Sequence, residues 1–280
     1  GYETIGVDWL GMSFAKGFDY YNEILPGRIP KNSKAPFTST EEMVDLAIHR
    51  IENSQKPFFL FMHLWDTHFP FPHIEYEGDV QDIDGMLQSI KDDKQREYMR
   101  RRVENRGLYT ISQMKEKYDL AIQTVNDHIK RLHDFLVSLN LWDDTVFLLM
   151  GDHGTSIGEH DIYFSHSGLY DVSIKVPFMM RIPGVESKEV TQMTQHTDIL
   201  PTLMDYLGFK DDLKFDGKSM RDVFEKGEPI RDKVLLFDGL CKNIKGVRTA
   251  NKKLVIADDS FCHLCKGEHH GKIEEYDLEK

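Results

Sequence analysis

Short apolar runs recur along the 280 residues. Glu3–Val7, Phe58–Leu64, Thr145–Met150 and Val176–Ile182 are each nearly continuous in apolar residues. That is the pattern of strands covered on both faces of a sheet, not the strict alternation of a half-solvated one. Helical periodicity fills the gaps. Thr40 to Asn53 opens on Thr40-Glu-Glu, an N-cap followed by early acids, and carries Met43, Leu46, Ala47 and Ile51 three or four apart. Tyr118 to Leu139 repeats Ile122, Val125, Ile129, Leu132 and Leu136 with charged residues between them. Strands alternating with helices predict an α/β domain with a mainly parallel sheet flanked by helices.

Two stretches depart from that rhythm. Residues 75–117 are polar and rich in Asp, Lys and Arg, and are expected to form an inserted helical excursion. From Gly208 onward, turn signals at Gly208, Gly217 and Gly227-Glu-Pro229 separate short strands at Lys233–Phe237, Ile244–Thr249 and Lys252–Ala257. Ala250-Asn251 joins the last two as an antiparallel hairpin. The expected division is therefore 1–207 as the larger α/β part and 208–280 as a small α+β part.

Composition narrows the function. The formal charge of −12 argues against binding nucleic-acid phosphates through a general basic field. No apolar stretch approaches the roughly 20 residues of a membrane-spanning helix. An anionic substrate would need a local attractor, and 13 histidines offer one, with or without a metal. Three cysteines cannot pair completely, which points to reduced thiols and a cytoplasmic setting. The chain opens on Gly-Tyr-Glu-Thr-Ile-Gly-Val, a turn running straight into a strand, and upstream sequence is expected.

The strongest chemical signal is Leu148-Leu-Met-Gly-Asp152-His153-Gly154. A strand ends and a hard oxygen donor and an imidazole follow at once, where ligand sites lie in parallel α/β sheets. Together Asp152 and His153 can fill two positions on a divalent ion. A bland alternative has Asp152 capping a turn and His153 merely polar. Gly158-Glu-His160 and Phe164-Ser-His166-Ser-Gly-Leu-Tyr170 follow, so three histidines fall within fourteen positions of a glycine-rich, polar segment. Upstream, the strand at Phe58–Leu64 ends in Trp65-Asp-Thr-His68-Phe-Pro-Phe-Pro72, where the prolines stiffen a loop carrying His68. His63, inside the strand pattern, reads as structural, and His73 fits either reading.

In this order and spacing the segments resemble the sulfatase family of the alkaline phosphatase superfamily. The resemblance rests on Gly1-Tyr-Glu-Thr, Pro57-Phe-Phe-Leu-Phe-Met-His-Leu-Trp-Asp-Thr-His68, Tyr118-Asp-Leu-Ala-Ile, Asp152-His153-Gly154, Gly158-Glu-His160, Leu169-Tyr-Asp171, Val176-Pro-Phe178, Thr197-Asp-Ile-Leu-Pro-Thr and Glu275-Tyr-Asp-Leu-Glu. It implies an alkaline phosphatase-like fold and a metal-dependent sulfuric ester hydrolase acting on a small-molecule or carbohydrate sulfate ester. Residue by residue it makes Asp152 and His153 metal ligands, for Ca2+ first and Mg2+ or Mn2+ behind. It makes His68 a contact to the sulfate. His166 stands three residues before Leu169-Tyr170, where many sulfatases have a sulfate-binding lysine, and His160 lies nearby.

The family's nucleophile motif, Cys or Ser before x-Pro or x-Ala and x-Arg, matches nothing here. Cys241 precedes Lys-Asn-Ile, Cys262 precedes His-Leu-Cys, and Cys265 precedes Lys-Gly-Glu. The formylglycine of active sulfatases, and the first aspartate pair of the metal site, are therefore expected upstream. A phosphodiesterase, phosphonate hydrolase or phosphoethanolamine transferase of the same superfamily stays open, as does a non-catalytic binding module on the same fold. Cys262-x-x-Cys265 followed by His269-His270 has the spacing of half a zinc site. With a single cysteine pair it reads as packed thiols rather than Zn2+. Asp198 is expected to cap the helix through Leu203 and Leu207.

Overall fold

A computed structural model describes residues 1–8, 15–21, 39–71, 73–74, 87–88, 90–104, 111–209, 213–239, 244–258 and 273–279. The three cysteines and His269-His270 lie outside these residues, and with them the zinc reading. By their contacts the residues form two compact units: Gly1–Ser89 with Arg100–Asp143, and Ile90–Met99 with Asp144–Lys280.

In the first unit β1 (Glu3–Val7) is the middle strand of a parallel sheet, between β2 (Tyr20–Tyr21) and β3 (Phe58–Met62). The register runs from Glu3 opposite Phe58 to Val7 opposite Met62. A parallel pair needs a crossover, and α1 (Thr40–Asn53) lies within it. Met43, Val44, Ala47 and Ile51 are the buried stripe of α1, spaced for one helical face. Met43, Val44 and Ile51 pack with Ile5 and Val7 and with Leu132 and Leu136. Burial of each such large aliphatic side chain contributes roughly 1.5–3 kcal/mol.

Three expectations change in this unit. The cap of α1 is Ser39, not Thr40: Ser39 and Glu42 close a reciprocal capping box at 3.3 Å, and the Thr40 N–H is taken by Asp66. After α2 (Asp93–Glu104), the long helix α3 runs Ile111–Ser138 and so begins before Tyr118. Its buried stripe passes through Met114, Lys117 and Ala121, which leaves Ile122 exposed; the charged residues around Met114 hid that first turn in the sequence. β3 is covered on one face only: Phe58, Leu60 and Met62 join the core, while Phe59 and Phe61 are exposed with the Phe18 ring 6.2 and 6.3 Å away.

In the second unit β4 (Phe147–Met150) pairs antiparallel with β7 (Phe178–Arg181). A continuous apolar run does not show strand direction, so this pairing was not legible in the pattern. β5 (Ser156–Ile157) and β6 (Tyr163–Ser165) form a short antiparallel ribbon, and α4 (Asp171–Ile174) is a single turn before β7. Beyond α5 (Ile199–Tyr206) and α6 (Arg221–Lys226), the chain forms a four-stranded antiparallel sheet of β8 (Val234–Asp238), β9 (Ile244–Arg248), β10 (Lys252–Ala257) and β11 (Ile273–Asp277). The hairpin at Ala250-Asn251 joins β9 to β10 as its turn chemistry required. One face of this sheet packs Ile244, Val255 and Ala257 on Leu169.

Asp198 occupies the N-cap position of α5 but makes no capping bond. It is fully buried, pairs through both oxygens with the Arg231 guanidinium, and accepts the N–H groups of Gln195 and Lys218. Burial pushes its carboxyl upward, but the hydrogen bonds from Arg231, Lys218 and Gln195 outweigh that and hold it below the usual carboxylate range. Among the described residues no helix is long and apolar enough to cross a membrane.

Candidate active site

The His68 loop belongs to the first unit and follows β3. Two turns shape it: the His68 N–H donates to the Trp65 carbonyl at 2.9 Å and the Phe71 N–H to the His68 carbonyl at 2.7 Å. The Phe69–Pro70 peptide is cis, and Phe71, fully buried, has φ 61°. His68 Nδ1 lies 2.7 Å from the Phe69 carbonyl, which can only accept, so Nδ1 carries the proton and a neutral ring keeps Nε2 as its acceptor. The Trp65 indole stacks on the His68 ring at 4.0 Å. Asp66 anchors the loop from beneath. Its buried carboxylate accepts the Thr40 N–H at the start of α1 at 2.7 Å and meets His73 Nδ1 at 2.5 Å. Burial raises the Asp66 pKa, but His73 and Thr40 together pull it below the ordinary value. His73 is thus a partner of the loop's anchor.

His63 is part of a cluster that sequence reasoning missed. Asp8, buried directly after β1, lies 2.9 Å from His63 Nδ1 and accepts the Tyr21 hydroxyl at 2.6 Å. Burial and that hydrogen bond push the Tyr21 phenol well above its ordinary pKa. An acid directly after the last apolar residue of a parallel strand was the available signal.

In the second unit the Asp152 loop follows β4. Two backbone bonds bracket it, Gly151 N–H to Pro177 O at 3.1 Å and Gly154 N–H to Ser173 O at 2.8 Å. A Cβ on Gly154 would sit 1.9 Å from the Val172 carbonyl oxygen, so only glycine lets the loop come this close. Within the loop His153 Nδ1 donates to the Gly154 carbonyl at 2.9 Å, which leaves the Nε2 lone pair for a ligand. That nitrogen is 3.5 Å from Asp152 Oδ2, so an oxygen and a nitrogen donor stand side by side. His166, directly after β6, stacks on the His153 ring at 3.8 Å. His160, held at φ 56°, stacks on Tyr170, also at 3.8 Å. The structure therefore brings Asp152, His153 and His166 together and sets His160 against Tyr170, while His68 stands in the other unit. His196 was not foreseen: its Nε2 donates to the Gly151 carbonyl at 2.9 Å and fixes the loop from a third side.

Asp152 and His153 fit as two ligands of one cation by chemistry and spacing. Among the described residues no group of three or more His, Cys, Asp or Glu forms a set that could hold an ion. By themselves the two side chains could supply only part of a coordination shell.

A family model for sulfatases matches residues 1–209, three quarters of the chain. The chain belongs to the sulfatase family. A second model, for the C-terminal part of N-sulphoglucosamine sulphohydrolase, matches residues 158–280. The extracellular sulfatase SULF-1 homolog of Drosophila melanogaster is 23% identical over 247 residues, 82% of this chain and 21% of that protein. A structure solved in complex with its substrate D-glucosamine-2-N,6-O-disulfate superposes with TM-score 0.65 at 20% identity, over 100% of this chain and 73% of that one. The phosphonate monoester hydrolase of Agrobacterium radiobacter superposes with TM-score 0.64 at 19% identity, over 100% and 72%. Likeness at this identity shows the fold, alkaline phosphatase-like as expected. The chain spans from about a fifth to under a half of the length of the first curated relatives it matches.

The cytoplasmic placement is corrected. The Drosophila relative is named an extracellular sulfatase, and an odd cysteine count argues only against complete pairing, not for a compartment.

Proposed function

We propose that the protein carrying this chain hydrolyses sulfate esters, with Asp152 and His153 holding one side of a divalent cation, Ca2+ before Mg2+ or Mn2+. The observation that carries the reading is the juxtaposition of Asp152 Oδ2 and His153 Nε2, in the loop after β4, with the His166 ring stacked on His153, inside the segment matched by the sulfatase model. The cation would supply Lewis-acid polarisation of sulfate oxygens. His166 donates one hydrogen bond to the anion when neutral and adds a charge when protonated, in a role that resemblance gives to a lysine. His68, with its Nδ1 proton spent on Phe69, binds an anion through Nε2 only when protonated, and can then pass that proton to a leaving alcohol. His160 is the further anion contact, its ring oriented by Tyr170. The formylglycine nucleophile that the resemblance implies has no matching motif within these 280 residues. A sulfated carbohydrate is the favoured substrate class, since one structural neighbour is described with a sulfated glucosamine as its substrate. In domain terms, 1–207 is read as part of the catalytic α/β domain, with 75–117 as an insertion, and 208–280 as a small α+β subdomain.

Kinetics with an aryl sulfate, a phosphonate monoester and a phosphodiester test the reading. Sulfate should be preferred, and His68→Ala should lower kcat/KM at least about tenfold, the equivalent of 1.4 kcal/mol. Residues 1–280 alone should show little turnover of the aryl sulfate. Preference for the phosphonate or the diester would replace the sulfatase reading.

A further inference from the structure

The segment from Leu169 to Pro177 is held from two sides. On one side it is the platform of the Asp152 loop: Ser173 O receives the Gly154 N–H, Pro177 O receives the Gly151 N–H, and the Val172 carbonyl fills the space a Gly154 side chain would need. On the other side it is gripped by the four-stranded sheet. Lys253 Nζ donates to Asp171 Oδ1 at 2.8 Å and to the Leu169 carbonyl at 3.0 Å, and lies 4.5 Å from the centre of the Tyr276 ring. Arg248 Nη2 adds a bond to Asp171 Oδ2 at 3.1 Å. Gly168 N–H donates to Asp238 Oδ2 at 2.7 Å, and Leu169 sits in the sheet's core cluster.

The Lys253 side chain is only 2% exposed. A buried ammonium is costly unless paired, and replacing a buried pair with apolar residues is often neutral or stabilising, so stability alone is weak grounds for this one. Its geometry offers another role. Asp171 is the first residue of α4, two residues before the carbonyl that receives Gly154. Fixing the Asp171 carboxylate and the Leu169 carbonyl fixes where that turn begins. Burial lifts the Asp171 pKa and the bonds from Lys253 and Arg248 more than reverse it, so the carboxylate is charged at neutral pH.

We propose that Lys253, assisted by Arg248, is a positioning residue for Asp152 and His153: the C-terminal sheet sets their loop through Asp171 and α4. The functional meaning rests on the metal reading of Asp152 and His153, whereas the mechanical coupling does not.

Amide hydrogen exchange without metal or ester tests it. In Lys253→Met the Gly154 amide should exchange at least about tenfold faster, while the amides of β4 and β7 change less than about twofold. Arg248→Gln should give a smaller local effect, and Lys253→Arg should restore much of the protection. Unchanged exchange at Gly154 in Lys253→Met would overturn the proposal, as would acceleration by the same factor throughout β4 and β7. If Lys253→Met does not fold, Arg248→Gln decides: wild-type exchange at Gly154 overturns the coupling. Divalent-cation affinity in the same variants should fall with Gly154 protection. Local exchange that responds in a protein with no cation affinity would uphold the coupling and remove the metal reading.

Discussion

The His68 loop and the Asp152 loop solve one local problem in the same way and are secured in different ways. Each follows a strand, and in each an imidazole spends Nδ1 on the carbonyl of the next residue, at 2.7 Å for His68 and 2.9 Å for His153. The ring is thereby fixed in one tautomer with Nε2 as acceptor. The His68 loop is anchored by its own residues and the start of α1: Asp66, His73 and the Thr40 N–H. The Asp152 loop has almost no anchor of its own. It lies on residues 172–177, is touched by His196, and depends through Asp171 on side chains about eighty residues further along the chain. A loop that carries its own anchor tolerates change elsewhere, whereas a borrowed anchor makes the site answerable to a distant sheet.

The comparison breaks most readily at Gly154. Gly154→Ala forces a methyl onto the Val172 carbonyl, a backbone obstacle, and should cost about 3 kcal/mol by overpacking with loss of cation affinity; chemical denaturation and a metal titration measure both. The matching change in the other loop is Asp66→Ala. It leaves the Thr40 N–H without its acceptor and should cost about 2 kcal/mol, with the Asp152 loop's exchange rates unchanged. If Asp66→Ala loosened Gly154, the two loops would not be independently secured. Acid is the mildest probe. Asp66 and Asp171 both have folded-state pKa values below the ordinary one, so their contribution is complete above the unfolded value near ~3.9 and is lost as pH falls through the lower folded values. The melting temperature should therefore fall off below about pH 4, and Asp66→Asn should flatten that fall by lowering the melting temperature in the neutral range while leaving the acid limb nearly unchanged.

Local chemistry was legible in the sequence and distant chemistry was not. β1, α1 and the Ala250-Asn251 turn lie where periodicity and turn residues put them. Ser39 was missed as a cap because Thr40 offers the same hydroxyl one residue later. Asp152, His153 and His166 were singled out from glycine-rich spacing, but nothing along the chain foretold the stacking of two rings across β5 and β6. Lys253 did leave a trace: strand alternation puts it on the face of Val255 and Ala257, where a lysine needs a buried partner. Its partner Asp171 is 82 positions away, beyond any local pattern. Asp198 was read as a cap from its place before a helix, but Arg231, 33 residues on, claims the carboxylate instead.

Elemental analysis of the protein and of Asp152→Ala tests most directly the proposed binding of a divalent cation by Asp152 and His153 for sulfate-ester hydrolysis. The account predicts a stoichiometric divalent ion, calcium first, in the wild type and at least about a tenfold loss of affinity in the variant, the factor equivalent to 1.4 kcal/mol. Equal metal content in the two proteins would contradict it.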